Sequence, residues 1–243
     1  MLVASELKQR YSGSILGVLW VLVKPIFLFA VLNFVFSRIF AFQDPNYPIK
    51  LLTGIVLWNL FSEASMISLT SLVSRANLIT RSASPMPAFI IAGAASAAIN
   101  FLFNLAVLTV FASFYSGFPG TSELGLIFAA AAAVLLLAVV VGLFLAPFFV
   151  RYRDLNQVWE VVLTAGFYFT PIIYPITLIP EKYRTLAILN PMTYLVAFAQ
   201  SVVAREPFEW QTQLAWSVSI ILAAFVLSLA AFRVSSRRVA ELL

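Results

Sequence analysis

The chain has 243 residues, 62% of them hydrophobic and 10% charged, with a formal net charge of +5 and a mean hydropathy of +0.99. A soluble core of this size cannot hide so much apolar surface, so the protein is integral to a membrane, and the lack of a period-2 pattern makes its spans helices rather than barrel strands. With no cysteine and no histidine, disulfides, thiolate and imidazole chemistry and nearly every transition-metal site are excluded; the positive charge, a nucleic-acid signal in a soluble chain, here fits basic cytoplasmic loops.

In residues 1–13, Leu2, Leu7 and Tyr11 are separable from Glu6, Lys8 and Arg10, which predicts a helix lying in the membrane interface. The apolar run that follows is longer than a signal-peptide core and lacks a small-residue cleavage site, so it is expected to stay attached. Spans are predicted over 15–40, with a kink at Pro25, and over 51–73, 88–115, 124–150, 156–174 and 214–232. "QDPNYP" (43–48) and "SGFPG" (116–120) are turns by composition. Residues 175–205 are ambiguous: "LAILNPMTYLVAFAQSVVA" (186–204) is apolar enough for a crossing, but Asn190-Pro191 splits it early.

Charge decides between six crossings and seven. With six spans and both termini inside, the cytoplasmic segments hold Lys8, Arg10, Arg75, Arg81, Arg151, Arg153, Arg233, Arg237 and Arg238, whereas the outer segments hold only Arg38, Lys50, Lys182, Arg184 and Arg205. That is the bias expected of inner loops, and a seventh span would reverse it at the C-terminal end. The predicted fold is therefore an all-α integral membrane domain. It has six transmembrane helices, an N-terminal interface helix, and a re-entrant helical hairpin at 175–205 between spans five and six. Irregular backbone at that depth needs protein or a water-filled cavity to cover it, which makes the hairpin region a candidate lining.

Enzymatic motifs are missing. None of the nine glycines directly precedes a lysine, so no P-loop exists, and neither G-x-S-x-G nor H-E-x-x-H occurs. Glu63 and Glu160 are the acids within spans, about a hundred residues apart, and neither has an acidic neighbour. Transport, channel formation or scaffolding are the functions left.

Several blocks carry a family resemblance. "LKQRYSGSILGVLWVLVKPIFLFAVLNFVFSRIF" (7–40), "LWNLFSEA" (57–64), "NLITRSASPMP" (77–87) and "RYRDLNQVWEVVLTAGFYFTPIIYPITLIPEKYRTLAILNPMTYLVAFAQ" (151–200) resemble the ABC-2-type permeases. The basic RY pair, the R-D turn, the T-P-I-x-Y-P break, the P-E-K step and the N-P are the features in common. The resemblance is greatest to the branch exporting lipid-linked O-antigen, teichoic acid or capsule precursors. It implies a homodimer in the bacterial inner membrane, joined by two copies of a separate ATP-binding subunit on the cytoplasmic face. ATP and magnesium would then be bound by that partner, with no cofactor or metal in this chain and no nucleic acid involved. A permease for a drug or small lipid shares the architecture, and an ATP-independent channel or scaffold is the different class left open.

Candidate sites follow from these readings. Under the resemblance, the loop carrying Arg75, Asn77 and Arg81 and the surface segment carrying Glu6, Lys8 and Arg10 are the ATPase-coupling interface; by spacing alone they are ordinary basic segments obeying the charge rule. Arg151, Arg153 and Asp154 form either a solvated turn, with Asp154 favouring the next helix through its dipole, or a cytoplasmic gate whose guanidinium groups meet a carrier's pyrophosphate. Trp159, Phe167 and Tyr174 recur at spacings that put them on one helical stripe, a lining for sugar rings or an ordinary packed face, with Pro171 and Pro175 close by. Lys24 and Glu63 each lie about 15 Å into adjacent antiparallel spans at about 1.5 Å per residue, so they form either an intramembrane ion pair or, for Lys24, a side chain that snorkels inward to the interface.

Overall fold

The computed structural model describes residues 15–39, 44–81, 85–115, 117–180, 182–183 and 189–242, with side chains described there except at 15–19, 21, 38–39, 80–81 and 234–242. Among the described residues every regular element is helical. They run α1 (Ile15–Phe34, extended by a π-helical turn at Val35–Ile39), α2 (Tyr47–Ser74), α3 (Ala76–Arg81), α4 (Met86–Tyr115), α5 (Thr121–Arg151) and α6 (Leu155–Phe169). After α6 come a 3-10 turn (Ile176–Leu178), α7 (Pro191–Ala204) and α8 (Gln211–Leu242).

Among the described residues, four helices are long and apolar enough to cross a membrane: α2 with 28 residues, α4 with 30, α5 with 31, and the 23-residue stretch Gln211–Arg233 of α8. They correspond to the second, third, fourth and sixth predicted spans. Shorter apolar helices occupy Leu22–Ser37 and α7. The interface helix predicted over 1–13 lies outside the described residues.

α2 sits at the centre, packed by α4, α5, α7, α1 and α6. A helix apolar on all sides is one that is surrounded, and Ile49, Leu51, Ile55, Leu69 and Leu72 are fully enclosed. Its buried hydroxyls are satisfied: Thr53 donates to the Ile49 carbonyl at 2.8 Å and Ser71 to that of Ser68 at 2.7 Å within the helix, and Ser68 to the Ile90 carbonyl of α4 at 3.3 Å. Small residues set the closeness of the crossings, as expected where apolar lipid gives no hydrophobic drive for association. A Cβ on Gly142 of α5 would overlap Ser68 of α2 and approach Ile90 Cγ2 of α4 to 2.8 Å, so three helices meet at that glycine.

Side-chain pairs fix the directions. Arg75 meets Phe89, Ser68 meets Ile90 and Glu63 meets Asn100, so α2 and α4 run oppositely. Ser65 meets Trp159 while Trp58 meets Phe167, so α6 is also antiparallel to α2. One end of the bundle therefore gathers the end of α2 with the starts of α4 and α6. The other gathers the start of α2, the chain just past α6, and the end of α7 with the start of α5, which Arg205 bridges by donating to Glu123 from Nε at 2.8 Å and Nη2 at 3.2 Å.

The fifth predicted span, 156–174, is shorter than expected. α6 ends at Phe169 because Pro171 has no N–H to continue the ladder and drives the preceding residue out of the helical region. Thr170 accordingly sits at φ −82°, ψ 134°. Fifteen residues reach roughly 22 Å, against a hydrocarbon thickness of about 30 Å. Further on, Asn190 and Pro191 do what an N-cap and first helical residue do: the Asn190 side chain accepts from the Met192 N–H at 3.1 Å, and its amide donates to Thr170 Oγ1 at 3.0 Å. That bond ties the start of α7 to the end of α6. The 14 residues of α7 are fewer than the roughly 20 a crossing needs.

Candidate functional site

At the end of the bundle where α2 finishes, Arg75 is buried, and its Nη1 donates to the Phe89 carbonyl at 2.6 Å. The residue holds the α2–α3 turn against α4. Asn77 and Leu78 beside it are exposed. Arg81 closes α3, but its side chain is outside the described residues, as are Glu6, Lys8 and Arg10. Of this proposed coupling set the structure thus places Arg75 as an anchor, with Asn77 and Leu78 presented outward.

Arg151, Arg153 and Asp154 gather at the same end, all exposed, in the three-residue connection between α5 and α6 and at the end of α5. The Arg151 guanidinium lies 5.4 Å from the Tyr152 ring and that of Arg153 5.5 Å from Phe149, within cation–π range. Asp154 is the N-cap of α6 and makes no side-chain cap bond, so its contribution there is its charge beside the helix dipole.

The ion pair expected between Lys24 and Glu63 is not formed. α1 packs through Pro25, Leu28, Phe29 and Leu32, with Phe29 edge-on to Phe111 of α4 at 5.1 Å, and Lys24 is exposed. Glu63 turns to α4 instead, where Asn100 Nδ2 donates to its Oε1 at 2.6 Å. Equal depth on neighbouring helices says nothing about which way each side chain rotates.

The expected aromatic stripe is also divided. Trp159 and Phe167 share a face of α6, but that face lies on α2: Trp159 Nε1 donates to Ser65 Oγ at 3.0 Å, and Phe167 stacks edge-on to Trp58 at 6.1 Å. Gly166 permits the approach, since a Cβ there would come within 2.9 Å of the Trp58 ring. Tyr174 is not on the helix at all, because α6 has ended at Phe169. The other side of α6 is the one that faces out, and it carries Gln157, Glu160, Thr164 and Tyr168 at helical spacing, all exposed. The sequence signal for this row is the spacing of polar residues at 157, 160, 164 and 168 within an otherwise apolar helix.

Tyr174, Pro171 and Pro175 belong to a second constellation. They line a half-open cavity of about 620 Å³ at the opposite end of the bundle, together with residues from the start of α2, the end of α7 and the segment before α8. Its floor is fixed by Gly54, where a Cβ would meet Ile172 Cγ2 at 2.8 Å and Gln200 Nε2 at 3.2 Å. Gln200 donates to the Lys50 carbonyl at 3.0 Å and Tyr47 to that of Ile173 at 2.9 Å. At the rim, Lys50 Nζ bridges Asp44 at 2.7 Å and Glu206 at 2.6 Å. The Tyr174 hydroxyl donates to the Tyr168 carbonyl at 3.1 Å. Tyr47, Lys50, Gln200 and Glu206 were not singled out by the sequence, because they come together only when α2 and α7 pack.

No cluster of metal-ligating side chains occurs among the described residues. The profile of the ABC-2 type transporter family matches residues 1–203. The chain is 26% identical over 239 residues to an O-antigen export system permease protein RfbA of Klebsiella pneumoniae, covering 98% of this chain and 92% of that one. It is 29% identical over 203 residues to the RfbA of Myxococcus xanthus, covering 83% and 78%. The polysialic acid transport protein KpsM of Escherichia coli is 23% identical over 237 residues, covering 94% and 89%.

Proposed function

The chain therefore belongs to the ABC-2 type transporter family, and from that premise we propose that it is the permease subunit of an ATP-driven exporter carrying a lipid-linked polysaccharide across a bacterial inner membrane. The observation that carries this reading is similarity to O-antigen export permeases along 98% of the chain, with no P-loop of its own in the sequence. A chain without a nucleotide site has to take its driving force from a separate ATP-binding subunit.

In this reading the chain makes six crossings with both termini cytoplasmic, and residues 175–205 enter the outer leaflet and return. Two copies form the path, and two ATP-binding subunits grip the end that holds Arg75, Asn77, Arg151 and Arg153. Glu6, Lys8, Arg10 and Arg81 extend that grip. The two exposed arginines beside Asp154 form the inner gate, where a pyrophosphate-linked carrier would meet two guanidinium forks.

The polar face of α6 supports a lining role. An acid such as Glu160 facing hydrocarbon costs about 3 kcal/mol, and such groups face a cavity or a partner. Gln157, Glu160, Thr164 and Tyr168 offer hydroxyl, amide and carboxylate partners to sugar hydroxyls passing between two copies. Trp159 and Phe167 hold that helix on α2.

Deleting the gene in its host and following the lipid-linked glycan tests the reading. Expected is glycan retained on the cytoplasmic side, restored by the wild-type chain, and copurification of a Walker-motif ATPase whose Walker lysine is also needed for export. Unchanged surface glycan, or a chain that copurifies with no ATPase and conducts without ATP, would overturn it.

A further inference from the structure

The cavity at the end of the bundle opposite the proposed ATPase contact has no role in the reading above, and its chemistry is specific. Its volume of about 620 Å³ falls within the roughly 300–1,000 Å³ of small-ligand sites. Tyr174 stands on one wall, and Phe208 and Trp210 come from the segment before α8. Phe208 is held edge-on to Phe198 at 5.3 Å and Trp210 lies 6.3 Å from Tyr194, both partners being on α7, so the rings are positioned by the helix behind them. Flat apolar faces with polar tips suit the C–H face of a pyranose ring. Lys50, bridged to Asp44 and Glu206, and the carboxylate of Glu209 supply charged donors and acceptors for its hydroxyls.

The charges also say what kind of ring. Among the described lining residues, Asp44, Glu206 and Glu209 face a single base, Lys50, which leaves that set two charges negative. Lys50 is already shared by two of those carboxylates at 2.7 and 2.6 Å. A ligand bearing carboxylates or phosphates meets like charge at short range, which is how a site rejects a competitor of similar shape. A neutral ring meets acceptors for its hydroxyls and no repulsion.

We propose that this cavity binds one neutral sugar ring of the exported chain as it leaves the permease, and that its carboxylates discriminate against anionic glycans. The inference rests on the exporter reading. It gives the Pro171–Pro175 break a purpose: ending α6 at Phe169 frees the chain to turn and carry Tyr174 into the cavity wall, which a continued helix would not do. It also places this protein with exporters of neutral polymers rather than with carriers of a polyanion such as polysialic acid.

The test uses the permease with its copurified partner subunits in lipid nanodiscs. Neutral tetrasaccharides of galactose, mannose and glucose are compared with α2,8-linked tetrasialic acid by saturation-transfer NMR and titration. At least one neutral probe is expected to bind tenfold or more tighter than the sialic acid. Trp210→Ala and Tyr174→Ala should each weaken it about tenfold, while Trp210→Phe retains most of the affinity. Glu209→Lys, at an exposed position, should narrow the neutral-to-anionic gap severalfold. Absence of binding by all neutral probes, or a gap unmoved by Glu209→Lys, overturns the proposal. A complex that still hydrolyses ATP and exports glycan under those outcomes leaves the exporter reading standing, whereas one that moves no glycan at all removes both.

Discussion

α2 and α6 are neighbours in the bundle and differ in what they do with polar groups. On α2 the buried polar side chains all have an address: Thr53 and Ser71 bond to their own helix, Ser68 reaches Ile90 and Ser65 takes Trp159, while the half-buried Glu63 takes Asn100. On α6 the polar residues Gln157, Glu160 and Thr164 lie on the side turned away from α2. A buried helix has to satisfy its polar groups internally. A helix that leaves a polar row facing out marks a surface meant for water, a second copy or a substrate. The contrast separates the part of this protein that holds shape from the part that meets cargo.

The largest test of that division is at the crossing of α2, α4 and α5. Gly142→Leu puts a branched side chain where even a Cβ overlaps Ser68 and crowds Ile90. Since backbone and a central helix cannot yield there, overpacking should cost about 3 kcal/mol or more. The subunit is expected to lose its thermal transition in detergent and to be degraded in cells. A normal melting profile for this variant would show that the three helices do not pack on that glycine.

The next pair sets the two helices directly against each other. Asn100→Leu removes the 2.6 Å bond to the half-buried Glu63 carboxylate inside the bundle, and loss of that hydrogen bond should cost about 1–3 kcal/mol. Glu160→Leu should leave melting unchanged or slightly raised, yet reduce glycan export severalfold. Opposite results, with Glu160→Leu lowering stability and Asn100→Leu lowering only export, would exchange the roles assigned to the two helices.

How much of this the sequence disclosed depended on the range over which the physics acts. Span positions for α2, α4, α5 and α8 follow from runs of apolar residues, a property of each segment alone. Local punctuation was equally readable: Asn190-Pro191 starts α7. Pro171 is also a stop signal, but the apolar run continues past it to 174, and run length alone places the end of the span there. Rotation about a helix axis was not readable. Trp159 and Phe167 are correctly placed on one face, yet nothing in their spacing says that the face meets α2, and Lys24 and Glu63 share a depth while pointing to different neighbours. The cavity needed more still, because Lys50, Gln200, Glu206 and Trp210 are drawn from three separated segments. Their only sequence signal was a local concentration of charge and aromatics around 205–210.

The smallest effect is expected at the corner beside that cavity, where Arg205 has φ 55° and ψ 40°, the left-handed conformation that ends α7. There the Glu206 N–H returns to the Ser201 carbonyl at 3.0 Å, the closing bond of a helix C-cap normally built on glycine. A non-glycine residue in this region carries about 1 kcal/mol of strain. In exchange the arginine grips Glu123 with two nitrogens and donates to the Phe118 carbonyl at 3.1 Å. Because the pair is exposed, its worth should be about 0.2–1 kcal/mol, and less at high salt. Arg205→Ala loses the bridge and keeps the strain, whereas Arg205→Gly loses the bridge and relieves the strain. In matched melting experiments the alanine variant should therefore be the less stable of the two, with the glycine variant close to wild type. If both fall equally, the backbone at 205 is unstrained and the bridge alone holds the corner.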